Sequence, residues 1–220
     1  MALILNIETA TRNCSVALSL DGGIVTIAEI AGEGYLHAEK LHVFIEEVVS
    51  KAGHTLKDIN AVAVSMGPGS YTGLRIGVSA AKGLCYALGI PLIATDTLEV
   101  LARRIAVEPG DFIVPMIDAR RMEVYNGIYD SNYAVMREIK AEIITEDSFS
   151  NLDNRLHLIG DGAAKCRQLL NSPKFIYHDD VLFPSAAQMC IVSFNKYKIS
   201  DTVDVAYFEP FYLKDFIINK

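Results

Sequence analysis

Twice along its length the chain runs through three short apolar stretches set off by tight turns, then alternates between helix and strand patterns. In the first half, residues 2–7, 15–20 and 24–30 read as strands, and Asp21-Gly22 between the last two is a strong hairpin signal. Leu36 to Ala52 has helical spacing and stops at Gly53, with Leu41, Phe44, Ile45, Val48, Val49 and Ala52 within one arc of about 140°. Ala61 to Ser65 is a further strand, Thr72 to Leu88 a helix ended by Gly89, and Pro91 to Thr95 another strand. Asp96-Thr97-Leu98-Glu99 is an aspartate form of the capping box and predicts a helix to about Val107, before Glu108-Pro109-Gly110 breaks the chain.

The second half repeats the plan. Phe112 to Asp118, Met122 to Tyr129 and Tyr133 to Ile139 read as strands, the last two joined by Asp130-Ser131-Asn132. Arg155 to Ile159 follows as a strand, and Gly160-Asp161-Gly162 turns into an amphipathic helix through Leu170. Lys174 to Tyr177 is one more strand, and Pro184-Ser185 opens a helix to about Lys196 with Gln188 three residues after the Ser185 cap. The halves share this pattern and no sequence identity. The expectation is an α/β chain of two βββαβα-type subdomains with mixed sheets, residues 1–108 and 109–220, the tail 205–220 packing back on the first. A single doubly wound sheet is the alternative, and the two hairpins argue against it.

Half of the residues are hydrophobic (51%) and a fifth charged (21%), a balance that supports a real core. The start, Met1-Ala2-Leu3-Ile4-Leu5, lacks a basic leader segment, and no apolar run reaches the roughly 20 residues of a membrane span. Cys14, Cys85, Cys166 and Cys190 form no CxxC pair and read as reduced, buried thiols of a cytoplasmic protein. With a net charge of −7 and no basic tract, the chain is a poor independent ligand for RNA phosphates.

Between the strand at 61–65 and the helix at 72–88 lies Gly67-Pro68-Gly69-Ser70-Tyr71-Thr72-Gly73-Leu74-Arg75. A glycine-rich bend at a helix N-terminus can hold an anion, because unpaired N–H groups and the helix dipole point into it. The spacing G-x-G-x-x-x-G nevertheless misses the dinucleotide fingerprint by one residue, and no Lys-Ser/Thr pair follows as in a P-loop. A tight turn with Ser70 or Thr72 as helix cap is the simpler reading.

As a whole, Gly67 to Gly77 resembles the signature of the bacterial TsaB (YeaZ) family. Ala81-Lys82-Gly83-Leu84, Gly89-Ile90-Pro91-Leu92, Ile7-Glu8-Thr9-Ala10-Thr11 and Ile117-Asp118-Ala119-Arg120-Arg121-Met122-Glu123-Val124-Tyr125 extend the resemblance. Gly160-Asp161-Gly162-Ala163 and Pro210-Phe211-Tyr212-Leu213 carry it more weakly, with Lys214 where relatives more usually have Arg. The resemblance implies the duplicated actin–hexokinase–Hsp70 plan and a non-catalytic part in making threonylcarbamoyladenosine in tRNA. It implies a TsaD-like catalytic subunit as partner, a TsaE-like ATPase as third component, no cofactor, and tRNA held only indirectly. Self-association of the lone protein is left open.

Candidate chemistry within the chain is sparse. His37 and His42 lie five apart on the first helix, about 140° from each other, and no other histidine spacing suggests a metal site. Neither a G-x-S-x-G elbow nor a papain-like cysteine context is present. ATP-dependent relatives of the actin plan hold phosphates on glycine-bearing loops after the first strand of each half. Here Asn6-Ile7-Glu8-Thr9-Ala10-Thr11-Arg12 and Ile117-Asp118-Ala119-Arg120-Arg121 carry none, and side chains obstruct close backbone approach. Glu8, Asp118 and Arg120 are thus candidates for a vestigial nucleotide cleft. The simpler role for the two carboxylates is to accept nearby backbone N–H groups or to pair with Arg12 and Arg120.

On the helix at 72–88, Arg75, Ser79, Lys82 and Tyr86 form one polar stripe. Opposite stand Gly73, Gly77, Leu84 and Leu88; one flank carries Leu74, Val78 and Cys85, the other Ile76, Ala80, Gly83 and Ala87. About two-thirds of this circumference asks for burial, more than a helix on one face of a sheet needs. Either the first and third helices cover both flanks, or one flank meets a partner. Ile76, Ala80, Gly83 and Ala87, with Leu36 and Val43 on the first helix, are the expected partner surface.

Overall fold

The computed structural model describes residues 1–32 and 36–213. Strands β1 (Leu3–Glu8), β2 (Asn13–Leu20) and β3 (Gly23–Ala31) form an antiparallel meander. Asp21 (φ 50°) and Gly22 (φ 85°) make the β2–β3 turn in the left-handed region, as a two-residue hairpin of right-handed twist requires. Helix α1 (His37–Lys51) leads to β4 (Ala61–Gly67), which lies parallel beside β1, and helix α2 (Tyr71–Leu88) leads to β5 (Leu92–Asp96) beside β4. The sheet order is β3-β2-β1-β4-β5.

The second sheet has the same order. After the short helix α3 (Thr97–Ala102) come β6 (Phe112–Asp118), β7 (Glu123–Tyr129), β8 (Val135–Ile143), β9 (Leu156–Ile159) and β10 (Phe175–Tyr177). Their spatial order, β10-β9-β6-β7-β8, is the first sheet's topology again, with β6 in the place of β1. The repeat of pattern is therefore a repeat of fold, the duplicated actin-like plan. Helix α4 (Ala186–Lys198) follows.

Among the described residues two compact units result: Met1–Val100 with Pro184–Tyr212, and Leu101–Phe183 with Leu213. This division departs from a cut at residue 108, and the reason is the composition of β1. Leu3, Leu5 and Ile7 face the cluster that includes Leu41, Ile45, Val48 and Val78. Ala2 and Ile4 face the other way, into a cluster with Ala17, Ala61, Ala63 and Ile93 that Met189 and Cys190 of α4 close. A strand apolar on both sides needs a layer on each face, and α4, with Val100 of α3, supplies the second. The join is polar as well: buried Asn6 accepts a hydrogen bond at Oδ1 from Ser193 Oγ at 2.6 Å and donates from Nδ2 to Ser19 Oγ at 3.0 Å. Ser15 Oγ accepts from Ala186 N at 3.0 Å.

Three expected elements differ. The helix predicted to reach Val107 ends at Ala102, where Arg104 N and Ile105 N turn back to the carbonyls of Leu101 and Ala102, and Tyr133 Oη donates to Ile105 O. The strand predicted from Tyr133 starts at Val135 because Tyr133 has φ 64°. The helix predicted to run through Leu170 is a 3-10 turn, Ala164–Cys166, extended by further turns. Gly162 N is tied to Met116 O at one end and Asn171-Ser172-Pro173 breaks the chain at the other, and the turns between close with i→i+3 bonds such as Cys166 N to Ala163 O and Leu169 N to Cys166 O. Of the tail predicted to fold back, residues to Tyr212 lie in the first unit; 214–220, with Lys214, lie outside the described residues. No helix among the described residues is long and apolar enough to cross a membrane.

Candidate functional site

Strand β4 ends in Gly67, at φ 113°, and the Gly67–Pro68 peptide bond is cis. Ser70 caps α2 as expected: its Oγ accepts from Gly73 N at 3.2 Å and its carbonyl from Leu74 N at 2.9 Å. The glycines, however, face the protein's own chain. A Cβ on Gly69 would stand 2.3 Å from Ala10 O, and one on Gly73 2.2 Å from Thr9 O. Ser70 N donates to Ala10 O at 2.7 Å, and Thr9 Oγ1 donates to Gly73 O at 2.8 Å. The space that bare glycines open is thus taken by the β1–β2 loop, which is the structural alternative to an anion site. Thr72, next in the motif, is exposed.

Beneath the turn lies Glu8, fully buried. Its Oε1 accepts from Ala10 N at 2.7 Å and Ser65 Oγ at 2.9 Å, while Oε2 is buried without a partner. Burial pushes its pKa up from 4.5 to about 7, against the pull of those two donors and with a further push from Asp96. The backbone partner foreseen for Glu8 is present; Arg12 is not its counter-ion. His37, which the spacing to His42 ruled out as a paired metal ligand, is wholly buried at the head of α1, its Nε2 2.8 Å from Thr11 O. Burial lowers its pKa.

Asp118 and Arg120 lie in the second unit, on the β6–β7 hairpin. Asp118 Oδ1 accepts from Arg120 N at 2.8 Å and pairs with Lys165 Nζ, which also reaches Glu123 O at 2.7 Å. Arg120 takes φ 70°, and its side chain is exposed. Among the described residues no group of three or more His, Cys, Asp or Glu side chains is placed to hold a metal ion.

Helix α2 packs chiefly on β4 and beside α1, and its two flanks differ sharply. Leu74, Val78 and Cys85 are inside the unit's own core. On the other flank Ile76 and Ala80 are half-buried, Gly83 and Ala87 exposed, and a Cβ on Gly83 would meet nothing within 4 Å. On α1, Leu36 is half-buried and Val43 is 53% exposed.

The polar stripe of α2 is occupied by the chain's own tail. Val203 bridges to Leu92, Phe211 N donates to Met66 O at 2.7 Å, and the segment between them runs along α2. Lys82 Nζ donates to the carbonyls of Ala206 and Phe208, each at 3.0 Å. Arg75 stacks 4.0 Å over the Tyr71 ring and donates from Nε to Tyr212 Oη at 3.3 Å. Arg75 and Lys82 therefore hold the tail against the signature turn. Their spacing of seven, two helical turns on one face, was the available signal. An apolar groove of about 560 Å³ lies beside this strap, lined by Lys82, Gly83, Tyr86, Asp204, Val205 and Ala206.

Known proteins share this arrangement. The structure of YeaZ from Pseudomonas aeruginosa superposes with a TM-score of 0.79 at 27% identity, covering 97% of this chain and 100% of that one. The (R)-2-hydroxyglutaryl-CoA dehydratase component A of Acidaminococcus fermentans, 10% identical with a TM-score of 0.51 over 90% of this chain and 98% of that one, shares the fold alone. Residues 17–215 match the family described as "TsaD: tRNA N6-adenosine threonylcarbamoyltransferase". The doubled sheet and the glycine turn thus define an actin-like protein homologous to TsaD. The tRNA threonylcarbamoyladenosine biosynthesis protein TsaB of Escherichia coli K12 is 33% identical over 224 residues, 96% of this chain and 94% of that protein. The chain belongs to the TsaB family, whose members serve threonylcarbamoyladenosine synthesis in tRNA.

Proposed function

We propose that the protein is a non-catalytic supporting subunit for threonylcarbamoyl transfer to N6 of the adenosine beside the anticodon, and that it binds a TsaD-like catalytic subunit through α1 and α2. The open flank of α2 carries this reading: Gly83 and Ala87 are exposed and Ile76 and Ala80 half-buried, while the opposite flank is core. Small residues let a partner helix approach closely, and a homologous catalytic subunit offers a like helix pair, so four helices meet. An interface of ordinary size covers about 800 Å² on each side, worth roughly 25 cal/mol per Å² of apolar surface before association costs. The same face serves a homodimer when the partner is absent, and a TsaE-like ATPase completes the assembly.

Two features support a role without chemistry of its own. The close-approach space at Gly69 and Gly73 is filled by Thr9 and Ala10, and Glu8 is sealed beneath the turn. The net charge of −7 supports indirect contact with tRNA, through the partner.

The test replaces Ala80 by Arg and Ala87 by Glu. Each variant folds, no longer co-elutes with the TsaD-like subunit and no longer supports tRNA modification. Folded variants that bind the partner as before would sink the two-helix interface. An intrinsic ATPase activity abolished by Glu8→Ala or Asp118→Ala would instead establish an autonomous kinase or hydrolase.

A further inference from the structure

In the second unit, three side chains remote from the features above form one chain of hydrogen bonds. His157, on β9, places Nε2 3.1 Å from Asp111 Oδ2 and Nδ1 2.9 Å from His178 Nε2. The two rings lie 5.1 Å apart between centroids at an interplanar angle of 28°. Asp111 precedes β6 and His178 follows β10, so the chain runs diagonally across the three parallel strands, with His157 level with Ile113 and Ile176. The side chains of His157 and Asp111 are only 13% and 10% exposed.

The protons in this chain are fixed by its partners. A carboxylate only accepts, so His157 carries its proton on Nε2 and presents a lone pair at Nδ1. His178 must then donate from Nε2, which leaves its Nδ1 as the basic position. A first added proton goes to His178 Nδ1 and breaks nothing. A second has only His157 Nδ1 to go to, and there it sets two N–H groups against each other across a donor–acceptor distance.

We propose that Asp111, His157 and His178 form a proton-operated latch on the edge strand β10, closed with no or one added proton and opened by the second. Strand β10 is three residues long and has β9 as its one sheet neighbour; Phe175 and Tyr177 pack on the unit's core, and the latch ties the strand's C-terminal end to β9. Its charged surroundings are few. Arg155, before β9, holds Asp111 from the other side, Nε to Oδ1 at 3.1 Å and a terminal nitrogen to Oδ2 at 3.0 Å. Asp179 and Asp180 follow His178, Asp179 paired with Arg167 of the turn after the 3-10 segment. Lys174, at the far end of β10, is bound to the carbonyls of Phe149 and Leu152. Burial, and then the charge of His157, lower the pKa of His178 against the pull of Asp180 and Asp179, so His178 takes the first proton on the acid side of neutrality.

The test follows amide hydrogen exchange on the full chain between neutral and mildly acidic pH, corrected for intrinsic rates, with imidazole tautomers read by nitrogen NMR. At neutral pH both rings carry the proton on Nε2. On acidification the opening constant at Leu156 N and His178 N, which bond across β9 and β10, rises about tenfold per pH unit once the second proton binds. Amides of β7 do not follow. In His178→Gln the amide can donate to His157 Nδ1 or accept from it, and the acid opening disappears. An Nδ1–H tautomer of His157 at neutral pH, β9–β10 protection that tracks β7, or a His178→Gln variant that opens as the wild type does would each overturn the latch.

Discussion

The hydroxyl of Thr9 donates to the carbonyl oxygen of Gly73 at 2.8 Å, joining the β1–β2 loop to the first turn of α2. Through it the signature turn and the β1–β2 loop become one packed body. Gly73→Ala drives a methyl to 2.2 Å from Thr9 O, a backbone atom that cannot swing aside. The expected loss is about 1–3 kcal/mol. Gly83→Ala, ten residues on with nothing within 4 Å, stabilises the isolated protein by about 0.5–1 kcal/mol through helix propensity alone. Urea midpoints of the two variants should move in opposite directions.

Glu8 makes stability fall with rising pH. Its folded pKa, about 7, lies above the ordinary 4.5, so the folded chain binds the proton more tightly. That contribution is complete below pH 4.5 and is lost as pH rises through about 7. At 1.36 kcal/mol per unit it amounts to about 3 kcal/mol. Glu8→Gln keeps an oxygen for Ala10 N and Ser65 Oγ and cannot ionise. The difference in unfolding free energy between variant and wild type should grow in the variant's favour from pH 5 to pH 8. An unchanged difference would show that Glu8 titrates as an ordinary carboxyl.

Lys82→Met removes the donor shared by Ala206 O and Phe208 O while keeping the aliphatic stem that lies along α2. Limited proteolysis should then cut within 203–212 several times faster. Global stability should change by about 1 kcal/mol or less, since those carbonyls regain water.

Ser193→Ala strips buried Asn6 Oδ1 of its donor at 2.6 Å. An unsatisfied buried acceptor costs about 1–3 kcal/mol. Thermal unfolding should show the loss in the transition of the unit that contains β1.

The fold was legible because its signals are local. Asp21-Gly22, the Ser70 and Ser185 caps and Gly89 each act within a few residues, and the order of elements followed from them. What was not legible depended on distant contacts. Helix α4 belongs with β1 because of Asn6, Ser15 and the alanines of the inner face, none of which marks a partner more than a hundred residues away. At the site, burial divided the flanks of α2 where periodicity could not, and His37 lay outside every recognised pattern although it is as buried as Leu41. The roles of Arg75 and Lys82 needed the tail in place, and a helical wheel shows only that they share a side.

The assignment of α4 to the first unit also sets a timetable for synthesis. When Glu108 leaves the ribosome all five strands of the first sheet exist, yet of the cluster around Ala2, Ile4, Ala17, Ala61, Ala63 and Ile93 only Val100 of α3 is present outside the sheet until Ala186, Met189 and Cys190 are made. At about 5–20 residues per second that wait lasts roughly 4–16 s. Through that interval a nascent chain carries a naked apolar sheet, a natural client for trigger-type chaperones, and a fragment truncated at residue 108 would carry it permanently.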